Sequence, residues 1–165
     1  MHHLKRVGLG AVTGLAALVA CAVPASAVGD DGIDPSHRET VLNLVTEPTE
    51  QSFLDLDGLG PSQGDELIIT GNVLQNSQPV GTFSEVCTLT RVAPGDVSDL
   101  LCQGTLVLPQ GQLTFQGRFT ITAAGPPDVT LAITGGTGVY RTAHGYIQAV
   151  NPGAAQTEIV VHIIP

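Results

Sequence analysis

Two charged residues stand on the apolar face of one predicted strand. Alternate residues of a β-strand point to the same side, so Glu85 and Arg91 share a face with Phe83, Cys87 and Leu89. A charged group on a buried face needs a partner, and charged groups inside an apolar fold are candidates for a binding site. We therefore predict that Glu85 and Arg91 line a ligand pocket. The alternative is that both lie at the mouth of the fold and meet water.

Arg141 is the third candidate for a pocket residue. The same alternation places it on a face with four apolar residues, Val139, Ala143, Ile147 and Ala149. We predict that its side chain points into the interior, where a guanidinium would stabilise negative charge that develops on a bound molecule. As for Glu85 and Arg91, the alternative is that Arg141 lies at the mouth of the fold and meets water.

An acidic segment has part of the spacing of a calcium-binding loop. Asp55, Asp57, Gly60 and Glu66 fall at positions one, three, six and twelve of that spacing. Position five is Leu59, however, and no helical pattern flanks the segment. This favours a solvated acidic loop, and we predict no metal site.

No motif for covalent catalysis or for a cofactor emerges. There is no G-x-S-x-G and no evident Ser/His/Asp arrangement, and His144 shares a face with Tyr146 that is typical of a surface or interface position. The glycine cluster Gly135, Gly136 and Gly138 is not followed by the Lys-Ser/Thr of a phosphate-binding loop. We assign no catalytic residue and predict no cofactor.

The elements that position these residues are predicted to be β-strands throughout. Apolar and polar residues alternate, or β-branched residues cluster, between Gly/Pro turns, at residues 41–46, 65–74, 80–93, 100–108, 112–122, 129–134, 139–150 and 158–164. No segment after residue 27 has a helical period. Seven or eight such runs predict an antiparallel barrel or sandwich, and closure into a barrel would hide the edge of the apolar C-terminal run.

The N-terminus is predicted to be a signal peptide over residues 1–27. A polar, basic start precedes an apolar run from residue 7 to residue 23, and Ala25-Ser26-Ala27 forms an A-x-A cleavage site. The apolar run is too short for a comfortable membrane span. The alternative is a lipoprotein whose lipidated residue is Cys21. We expect a secreted protein with a disordered segment at residues 28–40 and a barrel domain at residues 41–165.

Charge and cysteines agree with secretion. After residue 27 four arginines stand against fifteen acidic residues, a net charge of −11, which argues against binding to nucleic acid or to anionic membranes. Cys87 and Cys102 form an even pair in an oxidising compartment, so we predict a disulfide. A zinc site is the alternative, but no Cys-x-x-Cys supports it.

The glycine-rich segment carries a family resemblance. The stretch LAITGGTGVYR at residues 131–141, with Gln116-Gly117 before it and Ala143 and Gly145-Tyr146 after it, resembles the allene oxide cyclase and dirigent barrel superfamily. The resemblance covers most of residues 53–150. It implies an eight-stranded antiparallel barrel, a pocket for an apolar small molecule and, often, a trimer.

The functional residues of these families match only in part. The resemblance to dirigent proteins implies that Arg141 lines the pocket and that Gly135, Gly136, Gly138 and Gly145 are structural. The Glu-x-Asn that allene oxide cyclases place on their first strand is missing, because residues 44–46 read Leu-Val-Thr. This departure argues against allene oxide cyclase activity itself.

Two functions from different classes follow. The first is a secreted barrel that binds a small apolar or phenolic molecule and steers its cyclisation or coupling, an isomerase-like role in which rate comes from orientation. The second is a non-catalytic structural or interaction protein with a filled barrel. An eight-stranded barrel can be packed solid or can hold one small ligand, so the state of the lumen distinguishes the two.

Overall fold

The computed structural model describes residues 38–150, 152 and 155–164. The predicted signal peptide at residues 1–27, the alternative lipidation site Cys21 and most of the predicted disordered segment at residues 28–40 lie outside these residues. In the described part of the chain, no helix is long and apolar enough to cross a membrane.

The described residues form a closed β-barrel of eight strands. The strands are β1 (Thr40–Leu54), β2 (Glu66–Gln75), β3 (Gln78–Ala93), β4 (Val97–Leu108), β5 (Gly111–Ile121), β6 (Val129–Gly136), β7 (His144–Val150) and β8 (Thr157–Ile164). Each strand pairs antiparallel with the next, and β8 pairs with β1. The predicted eight-stranded antiparallel barrel is confirmed.

The antiparallel order gives the barrel two distinct ends. The connections at residues 55–65, 94–96 and 122–128 lie at one end, which we call the loop end. The tight turns at residues 76–77 and 109–110 lie at the other end, together with a short 3₁₀ helix, Gly138–Tyr140. We call this the motif end because the glycine-rich segment lies there.

Inward-facing side chains pack tightly across the middle of the barrel. Val73, Leu106, Leu113 and Val161 come from four different strands and are each at most 1% exposed. They belong to a continuous apolar cluster that includes residues of β1 to β8. Successive side chains of a strand point to opposite faces, so one face of each of these strands supplies the core.

The predicted disulfide is confirmed. Cys87 on β3 and Cys102 on β4 stand directly opposite each other, with 3.9 Å between their Cα atoms, and their sulfur atoms are bonded. Both side chains face the interior and are buried. For a sequence separation of 15 residues, the chain-entropy model gives a stabilisation of about 3 kcal/mol.

Two predicted strand boundaries are wrong. Pro48 does not end the first strand, because a β-bulge between Pro48 and Glu50 lets β1 continue to Leu54. The predicted strand at residues 139–150 begins only at His144, because the chain first forms the 3₁₀ helix.

Candidate functional site

A cavity of about 300 Å³ occupies the lumen at the loop end. Three phenylalanines, Phe83, Phe115 and Phe119, form part of its wall, and nine of the other nineteen lining residues are Leu, Ile or Val. Pro126 and Pro152, from the connections at the loop end, also line it. The volume lies at the lower end of the range of small-molecule sites. The shape and the wall suit a compact apolar molecule.

Glu85 provides a carboxyl group in this cavity. The alternation of β3 places it on the inner face between Phe83 and Cys87, as predicted, and it lines the lumen. Among the described residues none donates a hydrogen bond to its carboxyl group or pairs with it. Burial among apolar side chains raises the pKa of Glu85, because removal from water disfavours the charged form.

Arg91 lies on the outer face of the barrel, contrary to prediction. A β-bulge between Leu89 and Arg91 shifts the register of β3 against β4. One extra residue reverses the direction of the side chains that follow, so Leu89 is buried inside while the Arg91 side chain is 53% exposed. Arg91 therefore does not line the lumen in this structure.

Arg91 instead belongs to an ion-pair cluster around Asp99 on the outer face. Asp99 is buried and contacts Arg91 Nε at 2.5 Å, Arg118 at 2.5 Å and the Thr120 hydroxyl at 2.6 Å. The hydrogen bond from Arg91, followed by that from Thr120, holds the pKa of Asp99 far below its usual range. We infer a structural role, since the charges of this cluster satisfy one another.

Arg141 does not line the lumen cavity either. The alternation that predicted an inward side chain requires a strand, but Arg141 follows the 3₁₀ helix in a turn and is exposed. Val139, from the same predicted face, is 66% exposed. A role for Arg141 in ligand binding at the motif end stays a prediction.

A second cavity, of about 520 Å³, lies at the motif end. Tyr140 and Thr142, the neighbours of Arg141 in the chain, line it together with Gln75 and Gln110 above an apolar floor. The Tyr140 hydroxyl donates a long hydrogen bond of 3.4 Å to Gln110 Oε1, and burial raises the pKa of Tyr140. The tightly packed middle of the barrel lies between the two cavities.

The glycines of the motif shape this end. Gly138 has a φ of +62°, and a Cβ atom there would collide with the carbonyl oxygen of Gln110. Gly135 and Gly145 also have positive φ, whereas Gly136 packs against the backbone of Tyr140. The motif is thus a close-packed turn, consistent with the structural role that the resemblance implied.

The acidic loop at residues 55–65 uses its carboxylates to bind its own backbone. Asp55 accepts hydrogen bonds from the amides of Gly58 and Gly60, and the buried Asp65 accepts them from Leu56 and Ser62. The bonds from Leu56 and Ser62 lower the pKa of Asp65 against the opposing effect of burial. The described residues contain no group of three or more metal-ligating side chains.

His144 is exposed at the start of β7, as its face predicted. Tyr146, on the same outer face, stacks on His162 with 4.3 Å between the ring centroids, and His162 contacts Glu39 at 2.6 Å. None of these side chains lines the lumen cavity.

Three polar residues of the lumen wall, Thr46, Gln51 and Thr157, were missed from the sequence. Thr46 and Gln51 both line the cavity, although they differ in parity, because the bulge after Pro48 lies between them. Prolines occur at strand ends and at bulges, so Pro48, just after the predicted strand at residues 41–46, could have indicated a bulge and a change of face.

The chain matches one known domain family. The model of the allene oxide cyclase barrel like domain matches residues 45–163. A search of curated protein sequences finds no match.

Several solved structures share the fold. A pyocyanin demethylase is 21% identical with a TM-score of 0.64, over 74% of this chain and 99% of that chain. A pterocarpan synthase dirigent protein is 18% identical with a TM-score of 0.58, over 77% and 95%. A Diels–Alderase from Streptomyces koyangensis is 16% identical with a TM-score of 0.60, over 79% and 71%. At these identities the likeness shows the fold alone.

Proposed function

The chain belongs to the allene oxide cyclase barrel-like domain family, and on this basis we propose that it binds a small apolar or phenolic molecule in its lumen and steers the cyclisation or coupling of that molecule. The observation that carries the proposal is the lumen cavity with its phenylalanine wall and the unpaired acid Glu85. A barrel with a purely structural role would gain stability by filling this space with side chains.

The solved relatives support the substrate class. They are a demethylase of pyocyanin, a synthase of pterocarpans and a Diels–Alderase, three proteins of this fold that act on organic molecules. Allene oxide cyclase activity itself is not proposed, since residues 44–46 lack the Glu-x-Asn of those enzymes.

The chemistry of the wall favours catalysis by orientation. The described residues that line the lumen include no Lys, His, Ser or free Cys, and leave the carboxyl group of Glu85 and the hydroxyls of Thr46 and Thr157 as the groups that could form a covalent intermediate. A cavity of this size restricts a flexible molecule to a few conformers, which lowers the entropic cost of a cyclisation or coupling step.

We further propose that the protein acts outside the cytoplasm, in line with the predicted signal peptide. The Cys87–Cys102 disulfide supports this, because such bonds persist in oxidising compartments. The family resemblance suggests a homotrimer, whose mass would be visible in native mass spectrometry of residues 28–165.

The proposal can be tested by comparing ligand binding to variants whose lumen is open with binding to a variant whose lumen is filled. Ala149 lies in the lumen wall and Ala132 is exposed on the outer face of β6, so Ala149→Phe fills the cavity while Ala132→Phe adds the same side chain outside. We expect the wild type and Ala132→Phe to bind the apolar probe 2-ethylnaphthalene, and Ala149→Phe to lose most of this binding.

The same three proteins, purified from a secreting culture, would be examined for bound molecules by native mass spectrometry. A small-molecule adduct that is absent only from Ala149→Phe would supply the mass of the ligand. A wild-type protein that neither carries an adduct nor binds the probe would contradict the proposal and favour the structural or interaction role.

A further inference from the structure

Among the described residues of the lumen wall, Glu85 is the acidic side chain. Its neighbours in register are Ile69 on β2 and Gly104 on β4, neither of which has a polar side chain. Its carboxyl group has no hydrogen-bond or ion-pair partner among the described residues, and it lines the lumen. The side chain is partly buried, and its carboxyl oxygens are accessible from the cavity rather than sealed in the core, so a molecule in the lumen can reach them.

We propose that Glu85 anchors the lumen ligand by donating a hydrogen bond from its protonated carboxyl group to an oxygen atom of a neutral, largely apolar molecule, such as a ketone, an enone or an aryl ether. This inference rests on the proposed function and adds the chemical class of the ligand. The hydrogen bond would orient the molecule along the cavity and polarise the oxygen that accepts it.

The surroundings of Glu85 favour the protonated form. The cysteines beside it form a disulfide and do not titrate, and no basic side chain of the described residues lines the lumen. The charged or titratable residues on the surrounding strands lie on outer faces or beyond the cavity: Glu47, Glu50, Glu66, Arg91, Asp99, Arg118, Asp128, His144, Tyr146, Glu158 and His162. Burial therefore acts on Glu85 without an opposing cation, in agreement with its raised pKa.

The apolar wall of the cavity explains why one hydrogen-bond donor, Glu85, is enough to orient the ligand. Phe83, Phe115 and Phe119 surround the apolar body of the ligand, and one hydrogen bond fixes its orientation. The hydroxyls of Thr46 and Thr157 and the amide of Gln51 lie in the wall formed by β1 and β8, where further oxygen atoms of a phenolic ligand would find partners. A cationic ligand is the competing possibility, since a carboxylate among aromatic rings also suits an ammonium group.

Three probes of the same size and shape distinguish these possibilities. They are 2-acetylnaphthalene, which has an acceptor oxygen, 2-ethylnaphthalene, which has none, and 1-(2-naphthyl)ethylamine, which is a cation. Binding would be measured by fluorescence titration of the wild type, Glu85→Gln and Glu85→Leu between about pH 4 and pH 8. Glutamine keeps a hydrogen-bond donor but does not titrate, whereas leucine removes the donor.

We expect the wild type at the acid end to bind the ketone about three- to tenfold more tightly than the hydrocarbon, as for one buried hydrogen bond. This preference should fall as the pH rises through the raised pKa of Glu85. It should persist at every pH in Glu85→Gln and vanish in Glu85→Leu, which should bind the hydrocarbon at least as well as the wild type does.

Two results would overturn the inference. One is equal binding of the ketone and the hydrocarbon to the wild type, which would leave the lumen a ligand site but remove the role of Glu85. The other is a preference for the amine that grows with pH, which would assign a cationic ligand. Failure of all three probes to bind the wild type would instead contradict the proposed function.

Discussion

Side chains alternate between the two faces of a strand, and this rule holds at some single residues and fails at others. Glu85, Arg91 and Arg141 show both outcomes. Glu85 lies in an uninterrupted part of β3 and faces the lumen, as the rule predicts. Arg91 lies beyond a bulge, where it meets Asp99 on the outer face. Arg141 lies in a turn, outside any strand. The rule is reliable only where the strand is continuous.

The titration of Glu85 leads to a prediction at the residue scale. Because its pKa is raised in the folded protein from the ordinary value of 4.5, the unfolded chain releases its proton first as the pH rises. The free energy of unfolding of the wild type should therefore fall between pH 4.5 and the raised pKa, and this contribution should then stay constant.

Glu85→Gln should remove this pH dependence. We expect the variant to match the wild type below about pH 4, in the range where both states of Glu85 are protonated, and to be the more stable protein at neutral pH. Urea denaturation at several pH values measures the difference. Equal loss of stability in Glu85→Gln at all pH values would indicate that the carboxylate has a stabilising partner.

At the scale of elements, bulges and turns decide which residues meet. The bulge after Pro48 brings both Thr46 and Gln51 to the lumen, and the bulge after Leu89 directs Arg91 to the outer face. The 3₁₀ helix places Tyr140 beside the cavity of the motif end. Each of these irregularities changes the position of side chains without changing the sheet topology.

The glycine-rich turn can be tested by a matched pair of variants. Gly138 and Gly58 have nearly the same φ, +62° and +70°, but only Gly138 is packed against another backbone segment. Gly58→Ala should cost about 1 kcal/mol for the left-handed conformation alone. Gly138→Ala should cost clearly more, because its Cβ would displace Gln110. Equal costs, measured by thermal denaturation, would contradict the close packing of this turn.

The disulfide between β3 and β4 leads to a second prediction at the scale of strands. Replacing both Cys87 and Cys102 by alanine should lower the free energy of unfolding by about 3 kcal/mol, and the reduced wild type should lose a similar amount. The antiparallel pairing of β3 with β4 should survive, because eleven residue pairs hold these strands in register. A much larger loss, with an altered circular dichroism spectrum, would show that the bond is required for the fold itself.

For the whole molecule, the barrel is closely packed in the middle and open towards each end. Leu113 is completely buried in the packed middle, whereas Leu100 is buried but lines the lumen cavity. This division explains how one small barrel combines a stable core with room for a ligand. The homotrimer that the family resemblance implies stays a prediction.

A pair of core variants tests this division. Leu113→Ala opens a new cavity in a closely packed region and should cost roughly 3–5 kcal/mol. Leu100→Ala enlarges a space that already exists, so its cost should be nearer to 2 kcal/mol. Chemical denaturation of the two variants measures both. Equal costs would indicate that the lumen is as tightly packed as the middle of the barrel.

The sequence by itself determined the β-class, the disulfide and the position of Glu85. Alternation over unbroken strands and an even pair of cysteines depend only on local geometry and composition. The strand count left a barrel or a sandwich, and the family resemblance implied the eight-stranded barrel. Only the tertiary structure decided that Arg91 and Arg141 leave the lumen and that Thr46 and Gln51 enter it. Bulges and the glycine turn depend on pairing with distant strands and on backbone contacts such as Gly138 against Gln110, which no local pattern contains.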